Sequence, residues 1–91
     1  MHLEYSDEFK QSVKKIKDKI ALNRLNDLIA KLEAAHNLKE ISNVETLSNF
    51  PFTYRIRIGN YRLIVEYLDG AITILLLKYV KRNEKTYKKY R

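Results

Sequence analysis

Apolar and polar side chains alternate between Tyr54 and Tyr67, and the alternation is interrupted once, at Gly59-Asn60. A period of two broken by two turn-forming residues predicts a β-hairpin. With Gly59 and Asn60 as the loop, position 58 faces 61, 57 faces 62, 56 faces 63 and 55 faces 64. One face then carries Tyr54, Ile56, Ile58, Tyr61, Leu63 and Val65, enough to contribute to a core. The other carries Arg55, Arg57 and Arg62, with Arg57 directly across from Arg62. Like charges placed opposite each other destabilise a sheet, so the cluster points to an anion. The planar, permanently charged guanidinium suits phosphate.

The rest of the chain punctuates itself less sharply. His2 to Tyr5 alternates and predicts a short strand. Ser6 stands as a helix N-cap, with Asp7 and Glu8 in the first turn, where they complement the helix dipole. Phe9, Val13, Ile16 and Ile20 follow at helical spacing, while Lys10, Lys14, Lys15, Lys17 and Lys19 face outward. Leu22, Leu25, Ile29 and Leu32 mark a second amphipathic helix that ends near His36-Asn37. The two helices form a hairpin with a break expected between Lys19 and Asn23.

Ile41, Val44 and Leu47 are expected anchors before a turn at Phe50-Pro51-Phe52. Asp69-Gly70 is a second turn signal. Ala71 to Tyr79 is apolar on both faces, which suits a central, covered strand. Asn83 to Tyr90 predicts a short terminal helix or an ordered tail. The expected fold is α+β, in the order β-α-α-β-β-β with the terminal helix optional. Its antiparallel sheet is covered on one face by the helical hairpin, the arginine face is open, and residues 1–91 form one domain.

Composition narrows the class. At 45% hydrophobic and 32% charged, with one Pro and two Gly, the chain is globular rather than disordered. Cysteine is absent, so disulfides are excluded and a reducing compartment is expected. No apolar run is long enough to span a bilayer, and Met-His-Leu-Glu-Tyr has no signal-peptide character, so a cytoplasmic protein without membrane contact is expected. The net charge of +7 is lopsided: residues 1–45 hold eight cationic and eight acidic side chains, whereas residues 46–91 hold ten against three. That asymmetry favours a polyanionic partner, nucleic acid above all.

The chemistry available is narrow. With no Cys and only His2 and His36, no zinc-ligand spacing exists, and the scattered carboxylates give no two-metal site. Glycine-rich phosphate loops and Ser-His-Asp or Cys-His constellations are missing as well. No metal or cofactor is expected. Arginine, lysine and tyrosine remain, and they suffice for RNA, whose 2′-hydroxyl is a built-in nucleophile. Arginines stabilise the charge that develops on phosphate, and tyrosine or a lysine of lowered pKa serves as base. Arg55, Arg57, Arg62, Arg82 and Tyr87 are the leading candidates, with Lys78 and Lys81 as further cations. Whether Tyr87 or a lysine is the base stays open. Strict alternation after Asp69-Gly70 puts Lys81, not Arg82, on the Arg62 face; Arg82 reaches it only if the strand ends or bulges first. Tyr54, Tyr61 and Tyr67 are expected to pack, and His36 to cap a helix or face solvent.

The string Tyr54-Arg-Ile-Arg-Ile-Gly-Asn-Tyr-Arg-Leu-Ile resembles the characteristic motif of the RelE/ParE superfamily of type II toxin–antitoxin toxins. Val80-Lys-Arg-Asn-Glu-Lys-Thr-Tyr87 is similar to that family's closing basic motif, and the likeness covers nearly the whole chain. The resemblance implies a fold of the kind shared with microbial ribonucleases. It also implies metal-independent, ribosome-dependent cleavage of mRNA in the ribosomal A site, and so inhibition of translation. Arg62, Arg82 and Tyr87 are implied as catalytic, Arg55 and Arg57 as substrate-binding, and a cognate antitoxin as partner; Lys78 and Lys81 are expected to bind substrate on their charge alone. Lys81 stands where many relatives have His, and Leu47-Ser48-Asn49 replaces a frequent Leu-Lys/Arg-Gly. The superfamily also contains ParE-like poisons of DNA gyrase, and a degenerate toxin that only binds its antitoxin is a third alternative.

Overall fold

The computed structural model describes residues 1–68 and 73–82. The Asp69-Gly70 turn and everything from Asn83 on, including Tyr87 and the expected terminal helix, lie outside the described residues. Strand β1 (His2–Tyr5) leads into helices α1 (Asp7–Lys14) and α2 (Lys19–Ala34). A 3₁₀ turn at Leu38–Glu40 follows, then β2 (Val44–Thr46), β3 (Thr53–Ile58), β4 (Tyr61–Leu68) and β5 (Thr73–Lys81). The strands form one sheet in the order β1-β5-β4-β3-β2. The β-α-α-β order and the helix-covered sheet agree with the sequence pattern. One difference is that β1 runs parallel to β5, so only β2 to β5 are mutually antiparallel.

Each helix start has a local cause. Ser6 Oγ accepts the N–H of Phe9 at 2.9 Å, as an N-cap should, with Asp7 and Glu8 in the first turn. The break between the helices comes earlier than its expected place at 19–23. Asp18 caps α2, its Oδ1 accepting the N–H groups of Ile20 at 2.9 Å and Ala21 at 3.2 Å. Ile20 thereby falls in the first turn of α2 and faces solvent at 63% exposure instead of continuing the buried stripe. Ala21, Leu25, Leu28 and Leu32 become the buried face of α2, one helical ridge at spacings of three and four.

That ridge and Phe9 of α1 pack on the apolar face of the hairpin. Ile56, Tyr61, Leu63 and Val65 join Ile74, Leu76 and Tyr79 of β5 in a single core. Leu32, Leu63, Val65, Ile74 and Leu76 expose 0% of their surface, so truncating any of these Leu or Ile side chains to Ala costs about 2–5 kcal/mol. The hairpin register is the expected one: Ile56 faces Leu63, Arg57 faces Arg62 and Ile58 faces Tyr61.

The expected alternation along β5 is broken by a bulge. Val65 faces Leu76 but Ile64 faces Lys78, leaving Leu77 as the extra residue. The cause lies next door. The pairing of β1 with β5 stops at Tyr5–Leu76 because the chain turns into α1 there. Past that point α1 supplies the missing partners: Ser6 Oγ donates to Leu77 O at 3.0 Å, and Ser12 Oγ accepts the N–H of Tyr79 at 3.0 Å. Two serine hydroxyls thus replace a strand along the edge of β5.

Candidate functional site

The second face of the sheet is where the guanidinium groups meet. Arg57 of β3 and Arg62 of β4 are direct cross-strand neighbours, and Val80 of β5 continues the same row. Arg55 lies two residues from Arg57 on the same face. The Leu77 bulge inverts the parity of β5, so Lys81 now faces Tyr61 on the helix side. Arg82 falls in step with Val80 and Arg62, its N–H donating to Asn60 O at 2.8 Å beside the hairpin tip. The condition under which Arg82 joins the Arg62 face is therefore met.

The four arginines differ in freedom. Arg57 and Arg82 are exposed. Arg62 is 8% exposed, and its Nη1 donates to Gly59 O at 3.0 Å and Tyr61 O at 2.8 Å, clasping its own turn. Among the described residues its Nε and Nη2 donate to nothing, which leaves one edge of the fork for an oxyanion. Arg55 Nη2 stands 3.4 Å from Glu45 Oε2 of β2, its cross-strand partner. One arginine of the expected cluster is thus partly neutralised, by a carboxylate the sequence does not single out. Glu66 lies four residues along β4 from Arg62, roughly 13 Å away, too far to pair with it.

The hairpin tip is held from both sides. Gly59 has φ +56°, a conformation natural to glycine, and a Cβ there would stand 2.5 Å from Arg24 Nη1 of α2. Arg24 from one side and Arg62 from the other fix the loop that sets the spacing of the site. No pattern in the sequence linked Arg24 to the hairpin.

The site face is not bare. The β2–β3 connection folds Leu47 and Phe50 onto Ile64, with Leu77 and Val80 beside them, a small apolar patch next to the arginines. No helix residue joins this patch among the described residues.

Lys78 shares the face of Ile64 and Val80 but is turned to another partner, and Lys81 lies on the helix side. Lys78 is buried and its Nζ pairs with Glu8 Oε1 of α1 at 2.5 Å, because the bulge and the loss of β1 leave it at the edge nearest α1. Lys81 is exposed at the mouth of a groove between β5 and the α1–α2 junction. Tyr54, Tyr61 and Tyr67 pack as expected. Tyr54 meets Tyr67 edge-on at 5.5 Å, Tyr61 stacks on Tyr79 at 5.0 Å, and Tyr67 Oη accepts the N–H of Leu38 at 2.7 Å. Burial above all, with Tyr61 adding to it, pushes the Tyr79 phenol up to about 12 although Arg24 opposes the shift. Its hydroxyl donates to Ala21 O at 2.9 Å, so Tyr79 is a structural donor and no base near neutrality. His36 is exposed beside Glu40 at 3.2 Å. Among the described residues no group of three or more His, Asp or Glu side chains can hold a metal, and no helix is long and apolar enough to cross a membrane.

Comparison with known proteins gives a consistent picture. The family model described as ParE toxin of type II toxin–antitoxin system, parDE, matches residues 3–85. The fold is similar to that of the RelB–RelE antitoxin–toxin complex from Methanococcus jannaschii, with a TM-score of 0.80 at 20% identity over 97% of this chain and 99% of that one. It is also similar to the archaeal RelE–RelB complex from Pyrococcus horikoshii OT3, with a TM-score of 0.71 at 21% identity over 91% of this chain and 96% of that one. The intact E. coli RelBE toxin–antitoxin complex matches with a TM-score of 0.70 at 15% identity, over 91% and 98% of the two chains. No curated protein sequence matches. At these identities the structural likeness is one of fold.

Proposed function

Because this chain belongs to the ParE toxin family of type II toxin–antitoxin systems, within the RelE/ParE superfamily, we propose that its arginine face cleaves mRNA. The reading is supported above all by Arg57 and Arg62 standing opposite each other, with Arg82 brought into step by the bulge. A sheet that keeps two guanidinium groups in its closest side-chain pairing gains little except a phosphate site. In the proposed step the 2′-oxygen attacks the adjacent phosphorus in line, and the bond to the 5′-oxygen breaks. The products are a 2′,3′-cyclic phosphate and a free 5′-hydroxyl. One proton leaves the 2′-hydroxyl to a base and another reaches the departing oxygen. Arg57, Arg62 and Arg82 stabilise the charge on the non-bridging oxygens, the term worth most in such reactions. Arg55, tempered by Glu45, holds a neighbouring phosphate. Tyr87, by its motif position, is the proposed proton-transfer residue.

The toxin acts in the cytoplasm on mRNA in the ribosomal A site, and a cognate antitoxin is its proposed partner. A second reading, poisoning of DNA gyrase, is favoured by the family model's own description as a ParE toxin. Induced expression followed by primer-extension mapping of mRNA 5′ ends tests the choice, run beside a gyrase supercoiling assay. New message ends that vanish with Arg57→Gln or Arg82→Gln support cleavage. Intact messages together with inhibited supercoiling overturn it in favour of gyrase. Arg62→Ala is a less clean probe, since it also removes the clasp on Gly59 O and Tyr61 O.

A further inference from the structure

Five lysines crowd the ten residues from Lys10 to Lys19, with Asp18 as the one acid among them. Lys10, Lys14, Lys15, Lys17 and Lys19 are all exposed, and none forms an ion pair among the described residues. Two of the nearby carboxylates are already engaged. Glu8 holds Lys78 at 2.5 Å, and Asp18 accepts the first N–H groups of α2 at 2.9 and 3.2 Å. Asp7 occupies the first turn of α1, at the far end from Lys14. Lys10 and Lys14 are four apart on one helix, a like-charge spacing that costs stability. The cluster is unbalanced on its own.

This belt borders a groove of about 570 Å³ whose lining includes Ser12, Lys15, Lys17, Lys81 and Tyr61. The Leu77 bulge sends Lys81 to this side and Arg82 to the other, so the end of β5 joins two basic surfaces. The ligand chemistry follows from what the groove's described residues offer. Single strands are held by stacking bases on open aromatic rings. Among the described residues the groove's two rings, Tyr61 and Tyr79, are only 7% and 1% exposed and stack on each other, so neither is free. Lysines on a helix and its following turn act as point charges, matching phosphates without reading bases.

We propose that the lysine belt is a second binding surface, separate from the arginine face, for the phosphate backbone of an RNA duplex. The choice of RNA over DNA rests on the cleavage reading; the site itself does not. The belt holds structured RNA while the arginine face engages the strand to be cut.

Fluorescence anisotropy of the full chain with a labelled RNA duplex of roughly 16 base pairs, across a salt series, tests this. The Lys14→Gln/Lys15→Gln/Lys17→Gln variant is expected to lower the slope of log K against log salt by about 2–3, near 0.9 per lost phosphate contact. Arg57→Gln is expected to keep the wild-type slope while losing cleavage. A thermal melt checks that the triple variant is folded. An unchanged slope in the folded triple variant overturns the proposal, as does an equal loss of duplex binding in Arg57→Gln. A DNA duplex of the same sequence, bound as tightly through the same lysines, overturns the assignment to RNA. Failure of the cleavage reading shows in the message ends and leaves this slope untouched.

Discussion

Replacing Arg57 by Gln is expected to make the protein more stable and less active at once. Position 57 lies one residue inside the Ile58–Tyr61 pair that closes the hairpin, and its N–H points away from β4, donating to Asn43 O at 3.1 Å. Arg57 and Arg62 are therefore a non-hydrogen-bonded pair, the kind whose Cα atoms approach to about 4.5 Å and whose side chains lie closest. Long stems let the two charges spread to roughly 8 Å. At an effective dielectric of roughly 40–80 their repulsion is about 0.5–1 kcal/mol. Gln keeps most of the stem and removes the charge. For a domain of this size, that gain corresponds to about 2–8 °C in Tm. Since Arg57 is exposed, the gain should be present near 0.01 M salt and nearly gone near 1 M, where the screening length falls to about 3 Å. Differential scanning calorimetry at the two salt concentrations reads the shift, and message-end mapping reads the activity. Losing a preorganised donor to the developing oxyanion should slow cleavage by about 10²–10³-fold. A lower Tm at low salt, a gain that survives high salt, or undiminished cleavage would each refute the reasoning that the pair is held for an anion.

Two further outcomes follow from buried polar groups. Tyr79 has a folded pKa of about 12 against an ordinary value of 10.0, so its contribution is complete below pH 10 and is lost as pH rises toward 12, because only the unfolded chain releases the proton in that window. Urea unfolding of wild type and Tyr79→Phe across that range should show the difference between them shrinking with pH; a flat difference counts against the assignment. At neutral pH the same variant should lose about 1 kcal/mol with the hydrogen bond to Ala21 O. In the Lys78–Glu8 pair the lysine side chain is 7% exposed and the glutamate 49%. Glu8→Ala strands a buried ammonium and should cost about 3 kcal/mol, whereas Lys78→Met leaves a carboxylate that water can reach and should cost about 1 kcal/mol or less. Equal losses by chemical denaturation would show that the pair is more open than its burial implies.

Much of the fold was legible because its signals are local. The turn at Gly59-Asn60 and the alternation on either side fixed the register that sets Arg57 against Arg62, within a span of about ten residues. Ser6 announced α1 through a side chain that bonds three residues ahead. The helix break was less legible. Asp18 is a capping residue, but Ile16 and Ile20 continue the apolar spacing past it, and periodicity outweighed the cap.

By itself, then, the sequence determined the hairpin, the apolar stripes, the basic imbalance and the arginine face, since each is a relation between residues close along the chain. The tertiary structure alone decided which lysines and arginines share a surface. The bulge at Leu77 exists because β1 ends at Tyr5 and serines more than sixty residues upstream take over its role, and nothing near Leu77 signals this. That one extra residue moves Arg82 onto the arginine face and Lys81 away from it. Likewise Glu45 meets Arg55, and Glu8 meets Lys78, only after strands and helix are docked. With Glu8 engaged, a first half that is neutral by count acquires a belt of lysines without ion-pair partners among the described residues, because charge balance depends on which groups touch rather than on how many there are.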